Sequence, residues 1–309
     1  MFLIDESYIK RHEVLDRGGF GVIMPYYTPK NCRKYVVKEV DVTEVTNLNM
    51  LVNEAMIGFN HDHPFILPVL GCSYNQTTHK FYIKMKKMNS NLNVWRRNQK
   101  GQIEREMFIR NFYRLASALH YLHSKKQVHC DIKANNILLD NNNNMFLADL
   151  GLSKFFGEDG SLSDVSILGG TEVYMAPEIR QYCIKSKEPG LRQVLKKRGL
   201  YSADVWSLGI TFVDLFLGRF QGINYQKFER APDLEAELMY RLKEIPESYG
   251  RDILQGMLQY EAKKRLSFEQ VCELLEKRFG DILEETYEIQ ARKIFYVILK
   301  ESEENNNFL

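Results

Sequence analysis

Short apolar runs bounded by turn residues mark the first ninety positions. The runs "YIKRHEVL", "GVIMPYY" and "KYVVKEV" are separated by glycine or Pro-Lys-Asn turn chemistry and read as strands. A helical stretch over Leu48 to Phe59 interrupts them, after which "FILPVLG" and "FYIKMKK" return to strand character. From Ile103 the period changes. Ile103, Met107, Phe108, Phe112, Leu115, Leu119 and Leu122 recur at steps of three and four, which predicts a long helix with one buried face. "ILLDNNNNMFLAD" reads as a hairpin whose turn is the Asn141 to Asn144 run. Further helices are predicted in "SADVWSLGITFVDLFLG", "RDILQGMLQY" and "SFEQVCELLEKRF". Leu283, Tyr287, Ala291, Ile294 and Ile298 keep helical spacing in the tail, and "EENNNFL" should fray. The pattern is α+β: a small sheet with one helix over residues 1–87, a mainly helical part over 88–280, and an extension at 281–309.

Composition narrows the partners. With 42 basic and 40 acidic residues in 309, the formal charge of +2 removes the case for a nucleic-acid binder resting on bulk charge. Five scattered cysteines, Cys32, Cys72, Cys130, Cys183 and Cys272, show no metal-ligand spacing or disulfide framework. They fit a reducing compartment, so an intracellular protein, cytoplasmic or nuclear, is expected. The opening "MFLIDESYIK" breaks a signal peptide's apolar region with Asp5 and Glu6. No run is read as approaching the ~18 apolar residues that span a bilayer.

The stretch "VHCDIKANNILLD", Val128 to Asp140, packs Asp131, Lys133 and Asn136 into six residues. A carboxylate, an ammonium and an amide in one loop suit phosphoryl transfer, whose charged oxygens need cations and whose attacking hydroxyl needs a proton acceptor. Upstream, "LDRGGFGVI" is a glycine-rich turn between strands, where missing side chains let backbone N–H groups approach phosphates. "YVVK" then ends in Lys38, "NEAMIGFNHDHP" supplies Glu54, "ADLG" supplies Asp149, and "GGTEVYMAPE" closes at Glu178.

In this order and spacing the chain resembles the eukaryotic-type protein kinases over roughly Tyr8 to Phe279. The resemblance implies a two-lobed fold, with a small antiparallel sheet and one helix in the first lobe and mainly helices in the second. It implies a serine/threonine kinase that uses ATP with Mg2+, or Mn2+ in its place, on protein substrates. Asp16, Gly18, Phe20, Gly21 and Ile23 would cover the nucleotide, and Val36, Met85, Lys86, Met88 and Leu138 would surround its base. Lys38 would bind the α and β phosphates, held by Glu54. Asp131 would accept the substrate hydroxyl's proton, Lys133 would offset γ-phosphate charge, and Asn136 and Asp149 would hold the metal. Thr171 would hydrogen-bond near Asp131 and Lys133, Asp204 would brace the loop, and Arg265 would pair with Glu178.

Several residues depart from the family pattern. Cys130 stands where regulated relatives have an arginine that receives the activation-segment phosphate, which a thiol cannot grip. Phosphorylation between Asp149 and Glu178 is therefore not expected to be the principal switch, although Ser153, Ser161, Ser163, Ser166 and Thr171 are available. Asp16 replaces the first glycine and would weaken triphosphate binding unless it points outward or pairs with Arg17. Gly58 replaces a large apolar residue one turn after Glu54, which suggests a mobile helix that needs an activator. Arg180, Lys185, Lys187, Arg192, Lys196, Lys197 and Arg198 could dock an acidic partner, or belong to a solvated loop or short helix. The alternative to an active kinase is a pseudokinase that acts as a nucleotide-binding scaffold.

Overall fold

The computed structural model describes residues 4–18, 21–28, 31–42, 48–156, 171–185, 197–225, 231–284 and 286. They fall into two compact units, the first comprising Met1–Asp62, Ile66–Asn89 and Ala148–Gly151 and the second the remainder.

The first unit is an antiparallel sheet of β1 (Asp16–Gly18), β2 (Gly21–Thr28), β3 (Asn31–Asp41), β4 (Val69–Asn75) and β5 (Lys80–Lys86), in the order β1-β2-β3-β5-β4. Strand periodicity sends successive side chains to opposite faces. Val37 joins Met24, Tyr26 and Tyr82 under Ile4 and Ile9 on one face. On the other, Val40, Cys72, Phe81 and Ile83 pack against Leu51 and Ala55 of α1 (Leu48–Asn60).

One expectation changes here. "YIKRHEVL" is not a strand. Residues Glu6–Tyr8 form a 3-10 turn capped by Asp5, and Ile9 makes a single bridge to Tyr26. Lys10 N–H reaches Pro25 O before the chain turns at 11–13. The segment is a strap whose apolar side is used by Ile4 and Ile9 and whose polar side is held by Glu6, Arg11, Tyr82 and Asn75. At Gly58 there is no room for a side chain. A Cβ there would lie 2.4 Å from Cγ2 of Val69, so β4 already fills the space that a side chain would take. Glycine at this position is the condition for helix and strand to approach so closely.

In the second unit, β6 (Ser90–Asn91), β8 (Ile137–Leu139) and β9 (Met145–Leu147) form a small antiparallel sheet beside α2 (Leu92–Asn98), which Asn91 caps through Val94 N–H. The predicted hairpin is present, and its turn is locked by Asp140, whose Oδ1 accepts N–H of Asn142 and Asn144. The long helix α3 (Arg105–Ser124) buries Phe108, Phe112, Leu115, Leu119 and Leu122 as its periodicity requires. Its Phe112 stacks at 4.5 Å on Phe212 of α5 (Lys197–Leu217).

Between them run β7 (Gln127–Val128), paired with β10 (Lys154–Phe155), and α4 (Pro177–Lys185). α6 (Ala231–Lys243), α7 (Arg251–Met257) and a helix over 268–284, α8, complete the described part. α2, α4 and α6 lie outside the helices that the sequence pattern predicts. Contrary to the reading that no run is long and apolar enough to span a membrane, Gly199–Leu217 meets that test by length and composition. It is 78% buried, as a core helix is.

Candidate active site

The loop after β7 is shaped by one unusual residue. Cys130 has φ +68°, in the left-handed region that a thiol-bearing residue seldom adopts. The turn aims two successive N–H groups at one carboxylate. Asp204 of α5 accepts His129 N–H on Oδ2 at 2.8 Å and Cys130 N–H on Oδ1 at 3.0 Å. His123 of α3 adds a contact of 3.0 Å to Oδ2. Asp204 is the brace that the resemblance implies, whereas His123 belongs to no motif and is marked in the sequence by nothing but its place beside the buried Leu122.

The turn presents Asp131, 6% exposed, to a ring of donors. Its Oδ1 accepts N–H of Thr171 at 3.0 Å and the Thr171 hydroxyl at 3.1 Å. Oδ2 accepts Lys133 Nζ at 2.7 Å and Asn136 Nδ2 at 2.9 Å. Asn136 also donates to Asp131 O at 2.8 Å, and Lys133 donates to Thr171 Oγ1 at 2.7 Å. Burial alone would push the Asp131 carboxyl up. The hydrogen bond and charge of Lys133, with the bond from Asn136, outweigh it and hold the pKa below the ordinary carboxylate value. The group is a buried carboxylate kept ionised beside a cation, which is what acceptance of a hydroxyl proton requires.

The segment after Thr171 is tied down separately. A 3-10 turn, Glu172–Tyr174, follows it, and Ser207 Oγ donates to Tyr174 O at 2.8 Å. Glu178 of α4 meets Arg265 in a fork of 2.6 and 2.8 Å. Arg265 spends its other three N–H bonds on the carbonyls of Gln259, Ser202 and Tyr260. Asn93 Nδ2 of α2 donates to Asn135 Oδ1 at 3.1 Å, an amide bridge that the motifs did not indicate. Leu138 lies half-buried on β8, opposite Asn91.

In the first unit, Gly21 has φ +133°, and a Cβ on it would lie 2.4 Å from Glu39 O, so the turn between β1 and β2 admits only glycine there. Lys38 sits on β3 between Ile23 and Ile83 and is 9% exposed. Its Nζ lies 3.5 Å from Oδ1 of Asp149, which itself has φ +60°. Val36 is buried opposite Met85, which is half-buried, as is Met88, while Lys86 is exposed. Asp16 is exposed on β1, and its carboxylate accepts the next residue's N–H, Arg17, at 2.8 Å. Gly18 ends β1.

The structure thus brings Asp131, Lys133, Asn136 and Thr171 into one cluster and Lys38 beside Asp149. Phe20, the side chain of Glu54, Ser161, Ser163, Ser166, residues 186–196 of the basic stretch and 287–309 of the tail lie outside the described residues. Among the described residues no group of three or more His, Cys, Asp or Glu side chains is placed to hold a metal. The cysteines described are free thiols. Burial, with Asp204 next, pushes the Cys130 thiol well up, and burial pushes Cys272 up to about 12. Both are poor nucleophiles at neutral pH.

A five-stranded antiparallel sheet with one helix, followed by a helical unit that carries such an aspartate loop and an Ala-Pro-Glu segment, is the α+β, two-lobed fold of the protein kinases. The protein kinase domain matches residues 9–275, and the chain belongs to that family, the eukaryotic-type protein kinase superfamily. Mitogen-activated protein kinase kinase kinase 5 of Arabidopsis thaliana is 30% identical over 284 residues, covering 88% of this chain and 37% of that protein. Protein kinase C delta type of Homo sapiens is 28% identical over 276 residues, 82% of this chain and 36% of the relative. A serine/threonine-protein kinase SIK3 homolog of Danio rerio is 27% identical over 282 residues, 89% and 22% respectively. The chain therefore spans well under half the length of these relatives.

Proposed function

We propose that the chain is an active protein serine/threonine kinase, transferring the γ-phosphoryl group of ATP to serine or threonine hydroxyls of protein substrates. The observation that carries this reading is the ring around Asp131, which keeps a buried carboxylate ionised with Lys133 at 2.7 Å. Asp131 would take the hydroxyl's hydrogen bond and then its proton, while Lys133 offsets charge on the transferred group. Thr171, bonded to both, supports a serine or threonine acceptor.

Asn136 and Asp149 would hold a divalent cation, which we assign as Mg2+ with Mn2+ able to replace it. The donors fit, since a carboxylate and an amide oxygen are hard ligands of the kind these ions use with water and phosphate. Asn136 commits its N–H end to Asp131, which leaves the oxygen end for the ion. Bound there, the metal would neutralise phosphate charge. Lys38 would bind phosphate oxygens, and its 3.5 Å contact with Asp149 keeps the ammonium oriented meanwhile.

The kinase would not depend on activation-segment phosphorylation, because Cys130 cannot grip a phosphate and its backbone is already fixed by Asp204. An acidic partner at 180–198 and an activator on α1, where Met56 and Phe59 are exposed, complete the proposal. The rival, a nucleotide-binding scaffold, drew on Asp16, Cys130 and Gly58. Gly58 is accounted for by Val69, which leaves Asp16 and Cys130 as its support.

The test is incubation with radiolabelled ATP, Mg2+ and generic protein substrates, comparing the native chain with Asp149→Ala and identifying the labelled residues. Label on serine and threonine that disappears in the variant is expected. Equal labelling by both proteins, or label on tyrosine alone, would overturn the reading.

A further inference from the structure

The carbonyls of Val173, Tyr174 and Met175, in the segment after Thr171, are each held by a donor from α5 or from the loop that follows it. Ile223 N–H reaches Val173 O at 2.7 Å, Ser207 Oγ donates to Tyr174 O at 2.8 Å, and the Tyr225 hydroxyl donates to Met175 O. The segment held in this way is the one whose Thr171 bonds Asp131. Thr171, Tyr174 and Met175 line a cavity of about 30 Å3 together with Asp131. Since Ile223 and Tyr225 both lie in the loop over 219–225, the placement of the segment depends on that loop.

Gly222 is where the loop is anchored. Its N–H donates to Oδ2 of Asp214 at 2.7 Å, and Arg219 N–H donates to Asp214 O at 3.0 Å. Gly222 O accepts Nη1 of Arg241 at 2.9 Å, and the same nitrogen lies 3.6 Å from Oδ1 of Asp214. Glu237, one turn back on α6, accepts Arg241 Nε at 2.8 Å and aims the guanidinium. Gly222 has φ +61°, and a Cβ on it would lie 2.4 Å from Val173 O. Loop and segment therefore meet backbone to backbone, with no side chain between them to absorb a shift.

The side chain of Asp214 is 1% exposed and that of Arg241 13%. Removing the cation would leave a buried carboxylate uncompensated and a backbone carbonyl without its charged donor. The peptide group that suffers is the one resting on Val173.

We propose that Arg241 is a positioning residue for the protein substrate: through Gly222 it holds the carbonyls of Val173 and Met175, and with them Thr171 beside Asp131. The inference rests on the kinase reading above. Lys38 and Asp149, which would meet the nucleotide, belong to the first unit, whereas Arg241 and every residue it acts through belong to the second. Its loss acts on the protein substrate and spares ATP.

The test is steady-state transfer to the generic protein substrate that the native chain labels best, varying protein and ATP in turn. Arg241→Gln, Arg241→Lys and Gly222→Ala are compared with Arg251→Gln, which breaks an exposed pair with Glu247. Hydrogen–deuterium exchange at residues 219–225 is followed in the same proteins. Arg241→Gln and Gly222→Ala are expected to raise the KM for protein about tenfold, as for loss of a charged hydrogen bond. The KM for ATP stays unchanged, and exchange at 219–225 quickens by a similar factor. Arg241→Lys keeps a charge beside Asp214 and should raise the protein KM only about threefold, while Arg251→Gln should match the native chain. Should Arg241→Gln fail to fold, Arg241→Lys decides. A native chain that transfers no phosphate would refute the kinase reading, and exchange at 219–225 would then decide the link from Arg241 to the loop by itself. With an active native chain, an unchanged protein KM, equal rises in both KM values, or unaltered exchange at 219–225 would overturn the proposal.

Discussion

Replacing Arg265 with methionine is the perturbation whose outcome the structure constrains most tightly. The side chain is fully enclosed at 0% exposure, while its partner Glu178 is 25% exposed. All five guanidinium N–H groups are used: two on Glu178 and one each on Gln259, Ser202 and Tyr260 carbonyls. The guanidinium also lies 4.8 Å from the Trp206 ring centroid. Arg265→Met fills similar volume but strands a carboxylate and three carbonyls, and breaking one side of such a pair costs about 3–5 kcal/mol. Glu178→Gln is milder, about 1–2 kcal/mol, because the amide oxygen still accepts and the position is partly hydrated. Urea unfolding followed by tryptophan fluorescence is the assay. The two tryptophans, Trp95 and Trp206, both lie in the second unit, so the midpoint reports that unit. The Glu178→Leu/Arg265→Met double variant should recover part of the loss, since it removes the stranded carboxylate together with its partner. A loss below about 1 kcal/mol for Arg265→Met would refute the reasoning.

Gly58→Ala should destabilise by about 1–3 kcal/mol, even though alanine is the better helix former by ~1 kcal/mol, because its Cβ would overlap Val69. Adding Val69→Ala should restore much of the loss, as read by thermal unfolding. Lys133→Met removes the bond and charge that hold the Asp131 pKa down and leaves burial to push it up. The carboxylate then protonates at higher pH, so the acid limb of the transfer rate should move to higher pH; an unmoved limb with an unchanged rate would rule out that role for Lys133.

Much of this was legible in the sequence where one residue type does one job. The apolar run Tyr35 to Val37 on β3 and the three-four spacing of α3 report the burial that a core strand or helix must have. The cluster around Asp131 was legible because its members sit in one short loop. The remainder depended on partners far along the chain. The strap at 4–15 carries apolar residues that look like part of a strand, but Ile4 and Ile9 pack singly on one face of the sheet and Val14 and Leu15 are exposed. Gly58 reads as a defect until Val69, eleven positions on, is seen to occupy its space. Cys130 looked like a missing arginine, and its left-handed φ, which lets Asp204 take two N–H groups, leaves no trace in composition or periodicity. The asparagine run was correctly placed as a turn, while its bonds to Trp95, Asn111 and Arg114 follow only from the packing of α2 and α3 beside it.

The measurement closest to the central claim is the steady-state rate of phosphate transfer from ATP to protein by Asp131→Asn beside the native chain. The substitution keeps the size of the side chain while removing the proton acceptor. The account predicts a fall in kcat of about 10²–10⁴ with the KM for ATP little changed. Transfer at the native rate by Asp131→Asn would contradict it.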